Sequence, residues 1–443
     1  MNHMYPKDLA AFIVKTWDKQ PGDIHSADMF DAIELPNLEI LENILSTCYQ
    51  SSLLRHEGTA LTFRVIIAEP DIFPPEAGPP KGLHKLEFTE YLPFNDIEIR
   101  KLASAASFPR ALIGVRIDSE QGPEIWGIIQ TGPRWLHSLH GGRASAPPLP
   151  NALVISVTNP GHLEVSKGNY TLGLLSEGKV FGTSLNVFQS KWLEELFSDI
   201  RQERFNIHEE ARLKAKKNWA DLDPNLTSEI DQHMMKRIIA AIHAFNHGGT
   251  LIVVPPENAN SLCQENPYMS IKYQFTESEP RARFRSLIIQ VMSSLAQSNI
   301  ETKKKDKLMG WRDYQKSHDP VITNLDEAIF EMSHLIAALS TCDGAVVMTK
   351  RFELLGFGAE IHCDSTEVLS VARALDIEAK KIRIESVKAV GTRHRSAYRL
   401  CRELPQALVI VISQDGSVQF VKNNGKYVTC FDHQAFFSIQ SMF

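Results

Sequence analysis

The sequence predicts an α/β protein: a mixed central β-sheet flanked by helices, preceded by a second α/β domain that reads as a degenerate copy of the first. Three observations carry this. Val346-Val347-Met348 and Ala407–Ile412 are continuous apolar runs of the length of buried strands. Two segments place apolar residues at helical spacing, with Ile230, Met234, Ile238, Ala241, Ile242 and Phe245 in one and Leu325, Ile329, Met332, Ile336 and Leu339 in the other. The strand-and-helix order also recurs, and Ala152–Asn169 matches Ala407–Asn424 without gaps at 7 of 18 positions.

Taken in order, residues 1–50 are expected to be largely helical. Leu9, Phe12, Ile13 and Trp17 share one helical face, and Leu38, Ile40, Leu41, Ile44 and Leu45 another. Residues 59–67 read as a strand, 70–82 as a proline-rich loop, 95–106 as a helix, and 110–117 and 124–131 as strands. After a loop at 141–150, strands are expected at 151–157 and 162–165. The second half parallels this series: Gly58-Thr59 with Gly249-Thr250, Glu124–Gly127 with Glu353–Gly356, and Ala152–Ile155 with Ala407–Ile410. Chemistry-bearing residues differ between the copies. Arg110-Ala111-Leu112 stands where the second half has Asp343-Gly344-Ala345, and Pro160 where it has Asp415. A domain so changed suits regulation, ligand sensing or dimer packing.

The boundaries predicted are an N-terminal domain over 1–186, a charged linker helix over 187–224 and a C-terminal domain over 225–443. The linker carries Trp192, Leu193, Leu196, Phe197 and Ile200 on one stripe. In the C-terminal domain, helices are expected at 226–246, ended by Gly248, and at 283–297 and 325–339. Strands 344–348 and 353–360 would form a hairpin. The charged stretch near 298–320 reads as an insertion, either an exposed segment or a lid.

The stretch richest in chemistry is Gly391-Thr392-Arg393-His394-Arg395-Ser396-Ala397. A glycine-threonine turn into three basic or protonatable side chains suits phosphate, with a helix expected over 396–403 behind it. His394 sits where its protonation is tunable. The plainer alternative is a solvated basic turn. Asp343-Gly344-Ala345 opens one strand, and Ser413-Gln414-Asp415-Gly416 closes another. Two carboxylates, a hydroxyl and a basic turn could together hold a metal–triphosphate complex.

These three motifs, DGA at 343–345, GTRHRSA at 391–397 and ALVIVISQDG at 407–416, resemble the catalytic core of the diadenylate cyclases. Gly248–Val253 is similar to an early segment of that domain, so the likeness spans roughly 235–425. The resemblance implies a cyclase-type catalytic domain that condenses two ATP into cyclic di-AMP and releases two pyrophosphates. It implies attack of one 3′-hydroxyl on another ATP's α-phosphate. Asp343 and Asp415 would hold Mg²⁺ or Mn²⁺, with Asp343 also helping to deprotonate the hydroxyl. Thr392, Arg393, His394, Arg395 and Ser413 would grip the triphosphate. Gly391, Gly344 and Ala345 would let backbone approach the nucleotide, and the base would stack near 251–253 or 354–357. Two sites must meet for a cyclic product, so a homodimer or higher homo-oligomer is expected. The family often carries S-E-E where this chain has Ser413-Gln414-Asp415, which keeps open an alternative: an inactive sensor of ATP or a cyclic dinucleotide. A small-molecule or protein signal at the N-terminal domain is expected, its nature open.

Composition bounds the rest. A formal net charge of −6 argues against a nucleic-acid partner. No apolar run approaches the length of a membrane helix, and no signal-peptide pattern opens the chain, so a cytoplasmic protein without a membrane is expected. No DNA-binding tail follows the core, so the DNA-scanning roles of part of that family are not expected. The six cysteines lack a C-x-x-C pair, and Cys342 reads as a small buried filler. His137-x-x-His140 and His362-Cys363-Asp364 have metal-like composition but lack a convergent third ligand or a common direction. No G-x-S-x-G elbow or P-loop motif is present.

Overall fold

The computed structural model describes residues 3–19, 30, 33–79, 82–108, 110–131, 149–168, 170–176, 178–182, 186–215, 219–245, 247–276, 278–298, 308–363, 367–388, 390–414 and 417–434. The chain divides into one unit over residues 1–184 and a second over 185–435.

In the second unit a nine-stranded mixed sheet is sandwiched between helices. Its strands are β11 (Gly249–Val254), β12 (Met269–Gln274), β13 (Ala345–Thr349), β14 (Leu354–Ile361), β15 (Ser370–Ala374), β16 (Ile382–Ser386), β17 (Leu408–Ile412), β18 (Ser417–Asn423) and β19 (Val428–Gln434). Their order is β12-β14-β13-β11-β17-β18-β19-β15-β16. Central β11 runs parallel to β13 and antiparallel to β17, and all six of its residues are buried, as its run of β-branched residues dictates. Side-chain alternation divides it between two cores. Leu251 and Val253 face helices α6 (Leu226–Ala244), α8 (Ser278–Ser298) and α10 (Pro320–Leu339), whereas Ile252 and Val254 face α7 (Ala259–Leu262) and α11 (Thr392–Glu403). Helix α10 starts at Pro320, five residues before its predicted start, because Asp319 caps it by accepting from the Val321 and Ile322 amides.

The first unit holds an eight-stranded sheet made of β3 (Phe63–Ile67), β4 (His84–Pro93), β5 (Ala111–Asp118), β6 (Gly122–Gln130), β7 (Leu153–Asn159), β8 (His162–Lys167), β9 (Tyr170–Ser176) and β10 (Lys179–Gly182). Helices α1 (Pro6–Thr16), α2 (Leu38–Ser52) and α3 (Asp96–Ala105) cover one face, burying Leu9, Ile13, Leu41, Ile44 and Ile99. Predicted strand 59–67 is two elements: Thr59–Ala60 pairs with Arg55–His56 in a separate hairpin, and the sheet strand begins at Phe63.

The two sheets share seven strands in one order. Read from the other edge, the first is β4-β6-β5-β3-β7-β8-β9, matching β12-β14-β13-β11-β17-β18-β19 position by position. Pairing directions agree throughout, and so do details. A bulge between Gly114 and Val115 recurs between Val347 and Met348. A Cβ on Gly127 would stand 2.2 Å from the Leu86 carbonyl, and one on Gly356 would stand 2.3 Å from the Tyr273 carbonyl. The registers Val65↔Ile113 with Val65↔Ile155, and Leu251↔Val346 with Leu251↔Ile410, place Arg110 at the level of Asp343. They also correct one predicted parallel: Phe63 and Arg64, not the earlier Gly58-Thr59, correspond to Gly249 and Thr250. Between β6 and β7, residues 132–148 lie outside the described residues, and His137 and His140 with them.

The expected linker helix over 187–224 is two helices, α4 (Lys191–Leu196) and α5 (Ser198–Lys214), both within the second unit. Leu193, Phe197 and Ile200 are buried. Arg204 of α5, 2% exposed, makes a bidentate pair with Asp231 of α6 at 2.6 and 2.5 Å, and Arg201 joins at 3.5 Å. Part of the charge that marked this stretch as a charged linker helix is therefore a buried ionic anchor on one face. At the described end of the predicted insertion, α9 (Trp311–Lys316) lays Trp311 on His233 at 4.0 Å, and Met309 bridges to Leu222 just before α6. Helix α6 is about 28 Å long and its other end leads to Gly248, so these residues stand far from the basic stretch.

Candidate nucleotide site

The starts of β11 and β13 and the end of β17 lie at the same end of the sheet. The pairs Gly249↔Ile412 and Leu251↔Val346 make Gly248, Ser413 and Asp343 residues that lie just beyond the ends of three adjacent strands. Neighbouring strands are about 4.8 Å apart, so the start of β13 and the end of β17 flank β11 about 10 Å from one another. Gly248 has φ +70°, and a Cβ there would lie 2.6 Å from the Ile412 carbonyl, 3.0 Å from Arg393 Nη1 and 3.2 Å from the Gln414 amide. Arg393 Nη1 donates to the His247 carbonyl at 3.4 Å. The structure thus brings Arg393 to Gly248 and Gln414. His247 and Gly248 were not among the predicted site residues; the signal that could have found them is the glycine that stops α6 immediately before a buried strand.

The basic residues do not form a turn ahead of a helix starting at 396. They are the first turn of α11, which runs from Thr392, with Gly391 as N-cap at φ −62° and ψ 161°. The Arg395 amide closes the first helical bond to the Gly391 carbonyl at 3.1 Å. The amides of Thr392 and Arg393 therefore have no intrahelical acceptor, at the same pole where the arginine side chains project. Arg393 and Arg395 are exposed, His394 is half-buried, and nothing approaches the Cβ position of Gly391 within 4 Å. An anion can reach this pole from solvent and be held by amides, guanidinium groups and the helix dipole together.

On the β13 side, Asp343 is exposed. Gly344 has φ +104°, and a Cβ there would sit 2.6 Å from the Gly358 carbonyl carbon, so its lack of bulk serves the seam with β14. Ala345 is buried in the core under α11. On the β17 side, Ser413 is half-buried and its amide bonds the Ser417 carbonyl at 2.8 Å, closing the hairpin to β18. Asp415 lies outside the described residues. Of the predicted base-stacking stretches, Leu251, Ile252 and Val253 are at most 1% exposed inside the sheet and Leu354 and Leu355 are likewise core, whereas Phe357 is half-buried and stacks on Tyr273. Cys342 is exposed rather than a buried filler. Of the His362 group, His362 bonds Ser270 at 2.9 Å and Cys363 is buried, whereas Asp364 lies outside the described residues.

Among the described residues no three His, Cys, Asp or Glu groups cluster as a metal site. The donor chemistry still fits a hard divalent ion. Mg²⁺ is commonly bound through one or two carboxylates together with substrate phosphates, and Asp343 stands exposed just before β13, next to the strand β11 whose entry the first turn of α11 reaches through Arg393.

Comparison with known families fits this geometry. The family described as DisA bacterial checkpoint controller nucleotide-binding, abbreviated DAC, matches residues 321–426. Residues 321–426 form a DAC domain. The match runs from α10 through β18 and so contains Asp343, the α11 turn and Ser413, whereas β11 and Gly248 precede it. A second family, the probable sensor domain DACNV, matches residues 31–130, from before α2 to the end of β6. The chain therefore carries an N-terminal DACNV domain followed by a DAC domain. No curated protein and no solved structure gives a significant match. Among the described residues no helix is long and apolar enough to cross a membrane.

Proposed function

We propose that the chain is a diadenylate cyclase whose DAC domain joins two ATP molecules into cyclic di-AMP. The observation that supports this best is that the matched domain holds both an exposed carboxylate, Asp343, just before β13, and the cationic first turn of α11, whose Arg393 reaches the His247 carbonyl ahead of the neighbouring strand β11. Thr392, Arg393, His394 and Arg395 would bind the triphosphate and stabilise charge developing on the departing pyrophosphate. Ser413 would donate to the same phosphates, and the open space beside Gly391 would admit them. Asp343 would orient the attacking 3′-hydroxyl and receive its proton. Asp343, with Asp415, would hold Mg²⁺ or Mn²⁺, which supplies charge neutralisation of the phosphates when bound.

One such site holds one ATP, so a product made from two requires two DAC domains to face each other in a homodimer or larger assembly. The first unit, which repeats the seven-strand topology with Arg110 at the level of Asp343, serves as a diverged copy that reads a small-molecule or protein signal. A second reading, an ATP or cyclic-dinucleotide sensor without turnover, draws on Gln414, an amide beside Ser413 where the resembled family often has a carboxylate.

The test is pyrophosphate release measured against protein concentration. A paired-site cyclase releases one pyrophosphate per ATP, with specific activity rising as the protein is concentrated and then levelling. ATP binding without release at any concentration would replace the cyclase with the sensor.

A further inference from the structure

We propose that Tyr398, Gln419, Asp432 and Arg373 form a positioning relay that fixes α11, and with it Arg393, His394 and Arg395, against the edge hairpin β15–β16. The inference rests on reading the first turn of α11 as the triphosphate grip. Tyr398, 3% exposed, lies in the core between α11 and the sheet, one helical turn after His394, with the two rings 6.4 Å apart. Its hydroxyl donates to Gln419 Oε1 at 2.8 Å, and Gln419, 6% exposed on β18, donates through Nε2 to Asp432 Oδ1 on β19 at 2.9 Å. The other Asp432 oxygen accepts from Arg373 Nη1 on β15, whose Nε donates to Glu385 on β16 at 2.7 Å. Four strands and the helix are thus joined by bonds that run into Asp432 from both sides, from Tyr398 through Gln419 and from Arg373, which also donates to Glu385.

The donor and acceptor roles along this network are fixed. Burial pushes the Tyr398 phenol up, so it stays a donor. Gln419 must then present its oxygen to the phenol and its nitrogen to the carboxylate, leaving one amide orientation. Burial works to lower the Arg373 pKa, but the Asp432 and Glu385 carboxylates outweigh it and raise it. An apolar core needs no such network, and a buried one left half-made is unfavourable, so it specifies one placement of α11 rather than many. The first unit supplies a contrast. At the level of Gln419 it has Glu164, which accepts from Thr171 and faces Arg64. Among the described residues, the tyrosine relay occurs in the unit that carries Arg393, His394 and Arg395.

The outer end of the relay meets the segment that enters the second unit. Between β15 and β16, the Ile377 carbonyl accepts from Trp192 Nε1 at 2.9 Å and Glu378 accepts from the Lys191 amide at 2.8 Å. A pull on α4 therefore reaches the hairpin, and through Arg373 and Asp432 reaches α11.

The experiment uses the full chain as wild type, Tyr398→Phe, Gln419→Leu and the double variant. It reads kcat and KM for ATP, the unfolding temperature and amide hydrogen exchange. The relay predicts that each single variant loses about tenfold in kcat, with KM changed less than threefold and the unfolding temperature within a few degrees. The double variant should be no worse than the worse single, and faster exchange should be confined to α11. Activity within twofold of wild type, or activity that falls only as the unfolding temperature falls with exchange rising throughout the unit, overturns the relay. If the wild type forms no product, the cyclase reading fails by itself. The relay then stands or falls on exchange, and unchanged α11 exchange in Tyr398→Phe overturns it.

Discussion

Replacing Asp231 by asparagine is expected to destabilise the second unit while leaving the first intact. Asp231 is the shared carboxylate for Arg204 and Arg201, whose side chains are 2% and 10% exposed. Asparagine keeps the volume but leaves two guanidinium groups buried with one amide oxygen between them. Breaking a buried pair from one side costs about 3–5 kcal/mol. For a unit of this size each kcal/mol lowers the midpoint by about 2–4 °C, so the expected loss is roughly 6–20 °C. Differential scanning calorimetry of the full chain should show the loss in one transition alone. Asp231→Leu combined with Arg204→Met, which replaces the pair by apolar volume, should recover at least half of it. A shift under about 2 °C for Asp231→Asn would refute the claim that α5 is anchored through a desolvated pair, since exposed pairs contribute only about 0–1 kcal/mol.

Further outcomes follow from particular contacts. Gly344→Ala should lower the second transition by at least about 2 kcal/mol, because its φ is +104° and the seam with Gly358 is closed. Gly391→Ala, into open space at φ −62°, should leave stability within about 0.5 kcal/mol while weakening ATP binding in calorimetric titration. A fragment starting at 225 removes Val187, Phe188, Leu193 and Phe197 from the core. At about 1.5–3 kcal/mol each, their loss should unfold or aggregate the fragment, whereas one starting at 186 should stay folded by circular dichroism. Burial lowers the Lys236 pKa to about 7, opposed by Glu229. The unfolded chain then binds this proton more tightly than the folded one, and stability is lost as pH falls from the unfolded value toward 7. Lys236→Met should therefore melt higher than wild type at pH 7, with the gap closing by roughly 2 kcal/mol at pH 9. A pH-independent gap would contradict the buried charge.

The sequence made the central strands and the alignment of Arg110 with Asp343 legible, because continuous β-branched runs and the shared ALVI segment fix both length and register. It misplaced Gly58-Thr59 because a short glycine–threonine match outweighed the better-buried strand at Phe63, five residues further on in register. Edge strands went unread: β16 alternates Ile382 and Ile384 with Arg383 and Glu385, yet both isoleucines are exposed at 41% and 49%. The helical start at Thr392 was obscured by basic residues that read as a turn, although Gly391 caps them. The base-stacking stretches were chosen by apolar identity, and Leu251, Ile252, Val253, Leu354 and Leu355 are buried in mid-strand, which leaves Phe357 as the half-buried aromatic among them. The Tyr398 relay joins residues from Arg373 to Asp432 across four strands, and only the sheet order brings these together.

The measurement nearest the central claim is mass spectrometry of the products formed from ATP with Mg²⁺ or Mn²⁺ by the wild type, Asp343→Asn and Arg393→Ala. The account predicts cyclic di-AMP from the wild type and a loss of at least about 100-fold in each variant. No cyclic product from the wild type with either ion, across a range of protein concentrations, would contradict it.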